Sequence, residues 1–398
     1  MSRILFLSQL LPYPPDAGPK LRSYYVLRHL AQQHRVTLLA FTRPGDAPRA
    51  IDHLRSFCAF VHTLPMLRSR PRDLAALLGS LLANQSFIIR RDYLSAMAAK
   101  ITALLQDGQF DCVHADQLWM AQYALLARGL SPGIKLVLDE HNACFQVFQR
   151  LAGSAQNPFT RVFWKREASL LRRFEAQACA GFDHVVTVTE EDRAILQPLA
   201  AAAAAQPPPF TTIPICIAAG SPPPPPSGVP ALLFVGGMHW PPNAEGMRWF
   251  ARQVWPLVRT ACPQAVLNVI GKSPPPELLG LLGVQAPGYV PDLDAYWAQS
   301  AVFIVPLLSG GGMRVKILDA WAHGLPVVST TIGAEGLAYT TGQDILIADQ
   351  PQAMAAHILA LLKDPALAAR LGQAGWETLR RRYHWETVYQ AWDAIYPA

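Results

Sequence analysis

The chain has 398 residues, a formal net charge of +6 at pH 7, 51% hydrophobic residues and 16% charged residues. This length is too great for one ordinary core and predicts two domains, and the composition excludes a disordered protein. No apolar run reaches the roughly 18 residues of a spanning helix, and the N-terminal run is too short for a signal peptide. The six cysteines form no CxxC pair, which argues against zinc and disulfides and fits a reducing cytosol.

The first half of the chain alternates predicted strands with predicted helices. The strands are Ile4–Ser8, Val36–Phe41, Cys112–His114, Leu136–Asp139 and His184–Val188. Helical spacing covers Leu21–Gln33, a segment from Gln117, and a long amphipathic stretch at Phe159–Ala180. Such alternation indicates βαβ units with a parallel sheet, and we assign it to a Rossmann-like domain over 1–200.

An alanine run and two proline runs interrupt this rhythm at Ala201–Pro230. Proline runs continue neither a helix nor a sheet, so 201–230 is predicted to be a linker with one strand inside it, at Thr211–Cys216.

The alternation then restarts. Strands are predicted at Ala231–Val235, Val266–Ile270, Ala301–Pro306 and Pro326–Ser329, and helices at Asn243–Thr260, Met313–His323, Gln352–Arg382 and His384–Tyr396. We assign a second Rossmann-like domain to 231–382. The last helix, in 383–398, is expected to cross back to the first domain. Two doubly wound α/β domains facing across a cleft would place a small-molecule site at the carboxyl ends of their strands.

The charge is concentrated in the first half, where residues 1–190 carry 22 basic and 14 acidic side chains. Arginines cluster at Arg68, Arg70 and Arg72 and again at Arg90 and Arg91, beside apolar helical sequence. Such a combination can make peripheral contact with an anionic membrane, which is the slightly less favoured of two interpretations. The alternative is a solvated basic face. Nucleic acid is not expected as a partner, because no recognition module accompanies the charge.

One segment of the second half combines a glycine loop, two cations and an acid. Gly310, Gly311 and Gly312 lead through Met313 into a helix that carries Arg314 and Lys316 in its first turn. Free N–H groups at a helix start attract anions, and glycines let the backbone approach them. Lys316, Asp319 and His323 share one polar stripe. A diphosphate would suit the cations, and Asp319 would accept hydrogen bonds from a ribose diol. The alternative is that Asp319 merely pairs with Lys316 or His323.

The segment "PLLSGGGMRVKILDAWAHGLPVVSTTIGAEGL" resembles the donor-binding signature of retaining glycosyltransferases of family 4, which have the GT-B fold. Those enzymes usually carry two glutamates eight positions apart; here Gly311 and Asp319 stand at these positions. A polysaccharide-assembly subgroup has a similar glycine-rich form with Arg and Lys. The stretches "VLDEHNA", "VTVTEED" and "LLFVGGMHWPPNAEGMRWF" are similar to further segments of the family, so the resemblance covers nearly the whole chain.

The resemblance also implies roles for residues outside that segment. Gly18 would bring its loop near the donor phosphates, or equally be a turn glycine before a helix. Gly236 and Gly237 would meet phosphate oxygens. His141, just past a strand, would bind a donor hydroxyl or orient the acceptor. Glu335 would reach the donor or cap a turn.

Three further segments contain candidate residues. Lys20 and Arg22 are candidates for binding phosphate or acceptor. His114 also follows a strand. The Asp292–Asp294 pair imitates a metal motif, but its place before a helix favours a cap, and we expect no catalytic metal and no cofactor.

We therefore expect a retaining, metal-independent glycosyltransferase of the hexosyltransferase type. Its donor would be a nucleotide-diphosphate sugar, and its acceptor a glycan or lipid-linked glycan of cell-surface polysaccharide biosynthesis. We expect it in the cytoplasm, at the inner face of the membrane if the basic surface binds lipid. His141, Arg314 and Lys316 are the catalytic candidates. A nucleotide-sugar epimerase of the same fold and a degenerate binding or scaffold protein are the alternatives.

Overall fold

The computed structural model describes residues 1–155, 157–221 and 229–396, which form two compact units. The first comprises Met1–Cys216 with the segment that begins at Val388, and the second comprises Ile217–Thr387. Each unit has its own buried core, with apolar strands between layers of helices.

The first unit is built on a seven-stranded parallel sheet in the order β3-β2-β1-β4-β5-β6-β7. Its strands are β1 Arg3–Ser8, β2 Arg35–Thr42, β3 Phe60–Pro65, β4 Cys112–Asp116, β5 Lys135–Glu140, β6 His184–Thr187 and β7 Phe210–Thr212. Its helices are α1 Gly18–Gln33, α2 Pro48–Arg55, α3 Arg70–Leu82, α4 Phe87–Arg91, α5 Ser95–Asp107, α6 Leu118–Leu130, α7 Cys144–Ser154, α8 Pro158–Ala180 and α9 Glu190–Ala203. The central strands are apolar and almost wholly buried, as expected for a sheet covered on both faces.

The second unit has a six-stranded parallel sheet in the order β10-β9-β8-β11-β12-β13. Its strands are β8 Ala231–Val235, β9 Val266–Ile270, β10 Val284–Gly288, β11 Val302–Val305, β12 Val327–Ser329 and β13 Leu346–Ile347. Its helices are α10 Pro241–Trp249, α11 Trp255–Ala261, α12 Asp294–Gln299, α13 Val315–Ala322, α14 Pro351–Lys363, α15 Pro365–Arg382 and α16 Trp385–Val388. Two doubly wound α/β units confirm the predicted fold class.

Two long helices of the sequence prediction are divided in the structure. A π-helical turn at Phe250–Val254 separates α10 from α11, and Asp364 ends α14 and caps α15. Proline also occupies the first turn of α15, where the missing N–H has no helical partner to lose. Pro256 follows the π-helical turn in a backbone that remains helical.

The predicted linker differs from the structure at its first end. The alanine run completes α9 as far as Ala203, and β7 then pairs with β6 at the edge of the first sheet. A three-residue edge strand is compatible with the preceding prolines because it needs few ladder donors. The second proline run, residues 222–226, lies outside the described residues.

The C-terminal segment is shorter in helix than expected. It consists of α16 and a 3₁₀ turn at Tyr389–Trp392. From Val388 onward it packs with the first unit, where the His29 ring lies 2.8 Å from the Asp393 carboxylate and Tyr389 is fully buried. None of the described helices is both long and apolar enough to cross a bilayer.

Candidate functional site

In the second unit, Lys316 lies against the glycine turn that follows β8. Its Nζ donates to Asn243 Oδ1 at 2.9 Å and lies 4.4 Å from the centroid of the Phe234 ring. Asn243 in turn donates to the Gly237 carbonyl at 2.9 Å. A Cβ atom at Gly236 would come within 2.8 Å of Lys316 Nζ, so a larger residue there would displace the end of the Lys316 side chain. The structure thus brings together three residues predicted from separate segments, and adds Asn243.

Burial perturbs both ionisable groups on the polar stripe of α13. Desolvation and the nearby Arg314 charge lower the pKa of Lys316 to about 7, which Asp319 only partly opposes. Desolvation also raises the pKa of Asp319 to about 6, against the effect of Lys316. Within the described chain, the Asp319 carboxylate has no hydrogen-bond donor or ion-pair partner. An anion at Lys316 and hydroxyl donors at Asp319 would therefore stabilise the charged form of each.

Arg314 differs from the expectation of a cation in the first helical turn. It occupies the N-cap of α13, with a non-helical backbone at φ −87° and ψ 73°, and its side chain is only 8% exposed. The guanidinium donates to the carbonyls of Gly311 at 2.6 Å and Ile332 at 3.2 Å, and pairs with Glu335 at 3.3 Å. Arg314 and Glu335 thus come together, and this pair holds the glycine loop beside Met313, which is buried.

The glycine loop needs glycine at two of its three positions. Gly310 has φ +120° and Gly312 has φ +74°, conformations that side chains other than glycine rarely adopt. Gly311 has an ordinary backbone and supplies the carbonyl that Arg314 binds. The loop is therefore built as a tight turn ahead of α13.

Two other acidic or basic candidates of this unit have structural contacts. The His323 ring stacks on Trp297 with centroids 4.5 Å apart, and its Nδ1 lies 2.7 Å from the Asp319 carbonyl. The Asp292 carboxylate accepts the Asp294 N–H at 2.9 Å in a turn just ahead of α12, whose N-cap residue is Leu293.

In the first unit, His141 is held by an acid that the sequence analysis did not select. Its Nε2 lies 2.9 Å from Asp116 Oδ1, while Asp116 Oδ2 accepts the hydroxyls of Ser8 at 2.8 Å and Ser23 at 2.7 Å. Burial alone would lower the pKa of His141, but Asp116 and then Asp139 raise it. The buried Nδ1 has no partner among the described residues. The signal for Asp116 was its place at the carboxyl end of β4.

Arg22 is not available to a ligand, so the structure contradicts its prediction as a residue that binds phosphate or acceptor. It is fully buried, and its guanidinium makes bonds of 2.6–2.9 Å to Asp139 and one of 2.7 Å to the Ile213 carbonyl. The Arg22 charge lowers the pKa of Asp139, although burial opposes it. Lys20 pairs with Asp16 at 3.3 Å, and Gly18 is the first residue of α1.

His114 is also a core residue. It stacks on Phe6 with centroids 4.2 Å apart, and its Nδ1 lies 2.5 Å from the Tyr396 hydroxyl. Burial lowers its pKa to about 4, so the ring is neutral at pH 7. It anchors the C-terminal segment on β4.

Two groups of side chains in the first unit have the composition of metal ligands. One is His114, Asp116 and Asp139; the other is Glu140, Cys144 and Glu175. In the first group the carboxylates already bind Arg22, serines and His141. In the second, Glu175 accepts the N–H groups of Cys144 and Phe145 at the start of α7. These contacts account for the first group and for Glu175. The buried Glu140 carboxylate has no hydrogen-bond partner among the described residues.

Comparisons with known proteins agree across both units. The family model "Glycosyltransferase Family 4" matches residues 21–206, and "Glycosyl transferases group 1" matches residues 229–364. A relative from Klebsiella pneumoniae, described as an uncharacterized 44.6 kDa protein in a cps region, is 21% identical over 98% of this chain and 99% of its own length.

Solved structures share the fold along the whole chain. Sucrose-phosphate synthase from Thermosynechococcus elongatus has a TM-score of 0.68 and 17% identity, covering 100% of this chain and 98% of its own. HepE from Anabaena, in complex with UDP and glucose, has a TM-score of 0.65 and 14% identity, covering 99% of each chain. The two family matches with this GT-B fold identify the chain as a glycosyltransferase of the group 1, family 4 type.

Proposed function

We propose that the protein transfers a sugar from a nucleotide-diphosphate sugar to a glycan or lipid-linked acceptor of a cell-surface polysaccharide, with retention at the anomeric carbon. One observation carries the donor half of this proposal: Lys316 Nζ lies at the Gly236 turn while Asp319, one helical turn on, has a half-buried carboxylate without a donor among the described residues. A diphosphate and a diol are the complementary groups. UDP and glucose in HepE, and the cps region of the relative, support the same assignment.

Each residue has a distinct part in this proposal. Lys316, protonated as the diphosphate binds, neutralises the leaving group together with the N–H groups at the start of α13. The backbone of Gly236, Gly237 and Gly312 allows close approach of the phosphates. Arg314 positions the loop through Gly311 and Glu335. This arrangement supplies positive charge without a metal ion, so we propose a metal-independent transfer.

His141 is assigned to the acceptor side of the reaction. Its imidazole is oriented by Asp116 at 2.9 Å and presents Nδ1, which lacks a partner among the described residues.

The six cysteines are buried and free, which fits a reducing compartment such as the cytoplasm.

A thermal-shift screen tests the donor half. Wild-type protein is heated with UDP, GDP, ADP and TDP and their sugars, alongside Asp319→Ala and the control Asp107→Ala, an exposed acid of the first unit. A ligand of the folded state raises the melting temperature by mass action. We expect one base to stabilise the wild type and the control, and to act much more weakly on Asp319→Ala. No shift with any nucleotide would overturn the proposal.

Release of nucleotide diphosphate tests the transfer itself. We expect release from the donor to require an acceptor fraction, here a lipid extract or polysaccharide fragments. Equal release without acceptor would indicate an epimerase or hydrolase. Nucleotide binding without turnover under any condition would indicate a scaffold protein.

A further inference from the structure

One face of α3 exposes apolar side chains to solvent. Leu74, Leu78, Leu81 and Leu82 follow one another at helical spacing, and Leu82 is 90% exposed. Burial of the opposite face, at Ala76 and Ser80, shows that α3 packs on the unit through that side alone. The leucine face is therefore not covered within the described part of the first unit.

The start of α8 continues this apolar surface. Phe159 is 85% exposed and Val162 is 67% exposed, three residues apart on one side of the helix. Further along α8, Arg166 donates to the Ser80 carbonyl at 2.9 Å, so α8 meets the end of α3. At a rise of about 1.5 Å per residue, Phe159 lies roughly 10 Å along α8 from that contact. We call α3 and residues 158–173 together the leucine–arginine surface.

The net charge around this surface is positive. Residues 66–92 and 158–173 contain ten basic and three acidic side chains. The acids are buried or half-buried, at Asp73, Asp92 and Glu167, and two of them pair with arginines. Seven cations are exposed: Arg68, Arg70, Arg90, Arg161, Lys165, Arg172 and Arg173.

A cavity of about 830 Å³ opens between α3, α4 and α8. Arg90 and Arg173 line it together with the apolar side chains of Ile89, Leu170 and Phe174. The Arg90 guanidinium lies across Gly79 of α3, where a Cβ atom would come within 2.5 Å of Nε. Cations at the mouth and apolar groups on the wall suit an acidic headgroup whose chains lie beside the leucines.

We propose that the leucine–arginine surface binds an anionic phospholipid bilayer, with the leucines and Phe159 inserted among the headgroups and the arginines on lipid phosphates. Charge complementarity selects this occupant, since a second copy of the same surface would bring like charges together. The inference extends the proposed function, because it brings the enzyme to a lipid-linked acceptor. Each cation near an anionic surface strengthens binding about fivefold.

Vesicle flotation of the full chain tests the proposal. We compare vesicles of phosphatidylcholine with vesicles of phosphatidylcholine mixed with phosphatidylglycerol. The wild type is expected to bind the anionic vesicles at least about tenfold more strongly. The charge variant Arg70→Gln/Lys165→Gln should bind anionic vesicles about 25-fold more weakly. The apolar variant Leu82→Ser/Phe159→Ser should weaken binding by a similar factor. These side chains are exposed, so folding is preserved.

Matched controls come from the second unit. Leu282 is 78% exposed and the Arg252 side chain is 68% exposed, so Leu282→Ser and Arg252→Gln should bind vesicles like the wild type. Equal binding to both vesicle types, or equal losses in the controls, would overturn the proposal. A wild-type dimer in light scattering that Leu82→Ser/Phe159→Ser converts to monomer would also overturn it, in favour of a self-interface.

Nucleotide binding is measured on the same variants. It should be unchanged, because every substitution is confined to the leucine–arginine surface or to the controls. Vesicle binding without nucleotide binding would overturn only the donor assignment; nucleotide binding without vesicle binding would overturn only the lipid assignment.

Discussion

Replacing Lys316 by methionine should remove a pH dependence from nucleotide binding. The pKa of Lys316 in the ligand-free protein is about 7, because burial and Arg314 disfavour the ammonium. If the diphosphate binds the ammonium, the free protein must take up a proton at higher pH. Affinity then falls about tenfold per pH unit above 7, or roughly 50-fold between pH 7 and pH 9. At pH 7, Lys316→Met itself should lose about 1.5–3 kcal/mol as a charge-assisted hydrogen bond disappears.

The lowered pKa of Lys316 also predicts how the free energy of unfolding changes with pH. Its folded pKa lies below the ordinary value of 10.5, so the folded state is favoured by deprotonation. The free energy of unfolding should therefore rise as the pH increases from about 7 to 10.5. For a fully buried amine, this rise in the free energy of unfolding would be about 5 kcal/mol. Because Lys316 is half-buried, we expect about half of that, and Lys316→Met should abolish the rise.

The pH dependence of nucleotide affinity is measured by isothermal titration calorimetry at constant ionic strength, with the nucleotide that the thermal screen identifies. Lys363→Met is the matched control, since Lys363 is exposed at the end of α14. Lys363→Met should show the same fall of nucleotide affinity with pH as the wild type. A flat wild-type profile above pH 7, or a slope that persists in Lys316→Met, would refute the placement of the diphosphate at Lys316.

Three further substitutions test the packing around the two sites. Arg22→Met should cost about 3–5 kcal/mol in urea unfolding, because it leaves Asp139 buried and uncompensated, and Arg22→Met/Asp139→Leu should recover most of that loss. Gly375→Ala should lower the free energy of unfolding by about 1–3 kcal/mol, since the new Cβ would overlap the Trp321 ring. The control Gly129→Ala has open space around it and should not destabilise the protein. Equal melting temperatures of the two variants would contradict this prediction. Asp116→Asn should lower the pKa of His141 in an NMR titration, because Asp116 is the main group that raises it. In the wild type the protonated His141 stabilises the fold below about pH 6.5, and this stabilisation is lost as the pH rises through the folded pKa; Asp116→Asn should remove it. An unshifted His141 resonance would show that Asp116 does not control the ring.

Much of the second-unit site was predictable from sequence because its parts are local. A glycine loop before a helix, and a cation and an acid at helical spacing, fix Gly312, Lys316 and Asp319 relative to one another. The strand that precedes Gly236 was equally clear, since apolar β-branched and aromatic residues fill it. The short, half-exposed strands β3, β10 and β13 were missed, because they lack that apolar run.

The partners of those residues were not predictable, because they come from distant parts of the chain. Asn243 meets Lys316 across 73 positions, and Arg22 meets Asp139 across 117. Arg22 and Arg314 look alike as sequence, each a cation near a helix start. Only the packing shows that Arg22 is enclosed by an acid and a carbonyl, while Arg314 turns back onto its own loop.

The sequence by itself determined the α/β class, the two-unit organisation and the glycosyltransferase motif, since hydrophobic period and glycine placement act over a few residues. The tertiary structure decided which polar groups are paired and which face of α3 has no cover. It also decided the near-neutral pKa values of Lys316 and Asp319. Those properties depend on desolvation and on charges brought together by folding, and no local pattern encodes either.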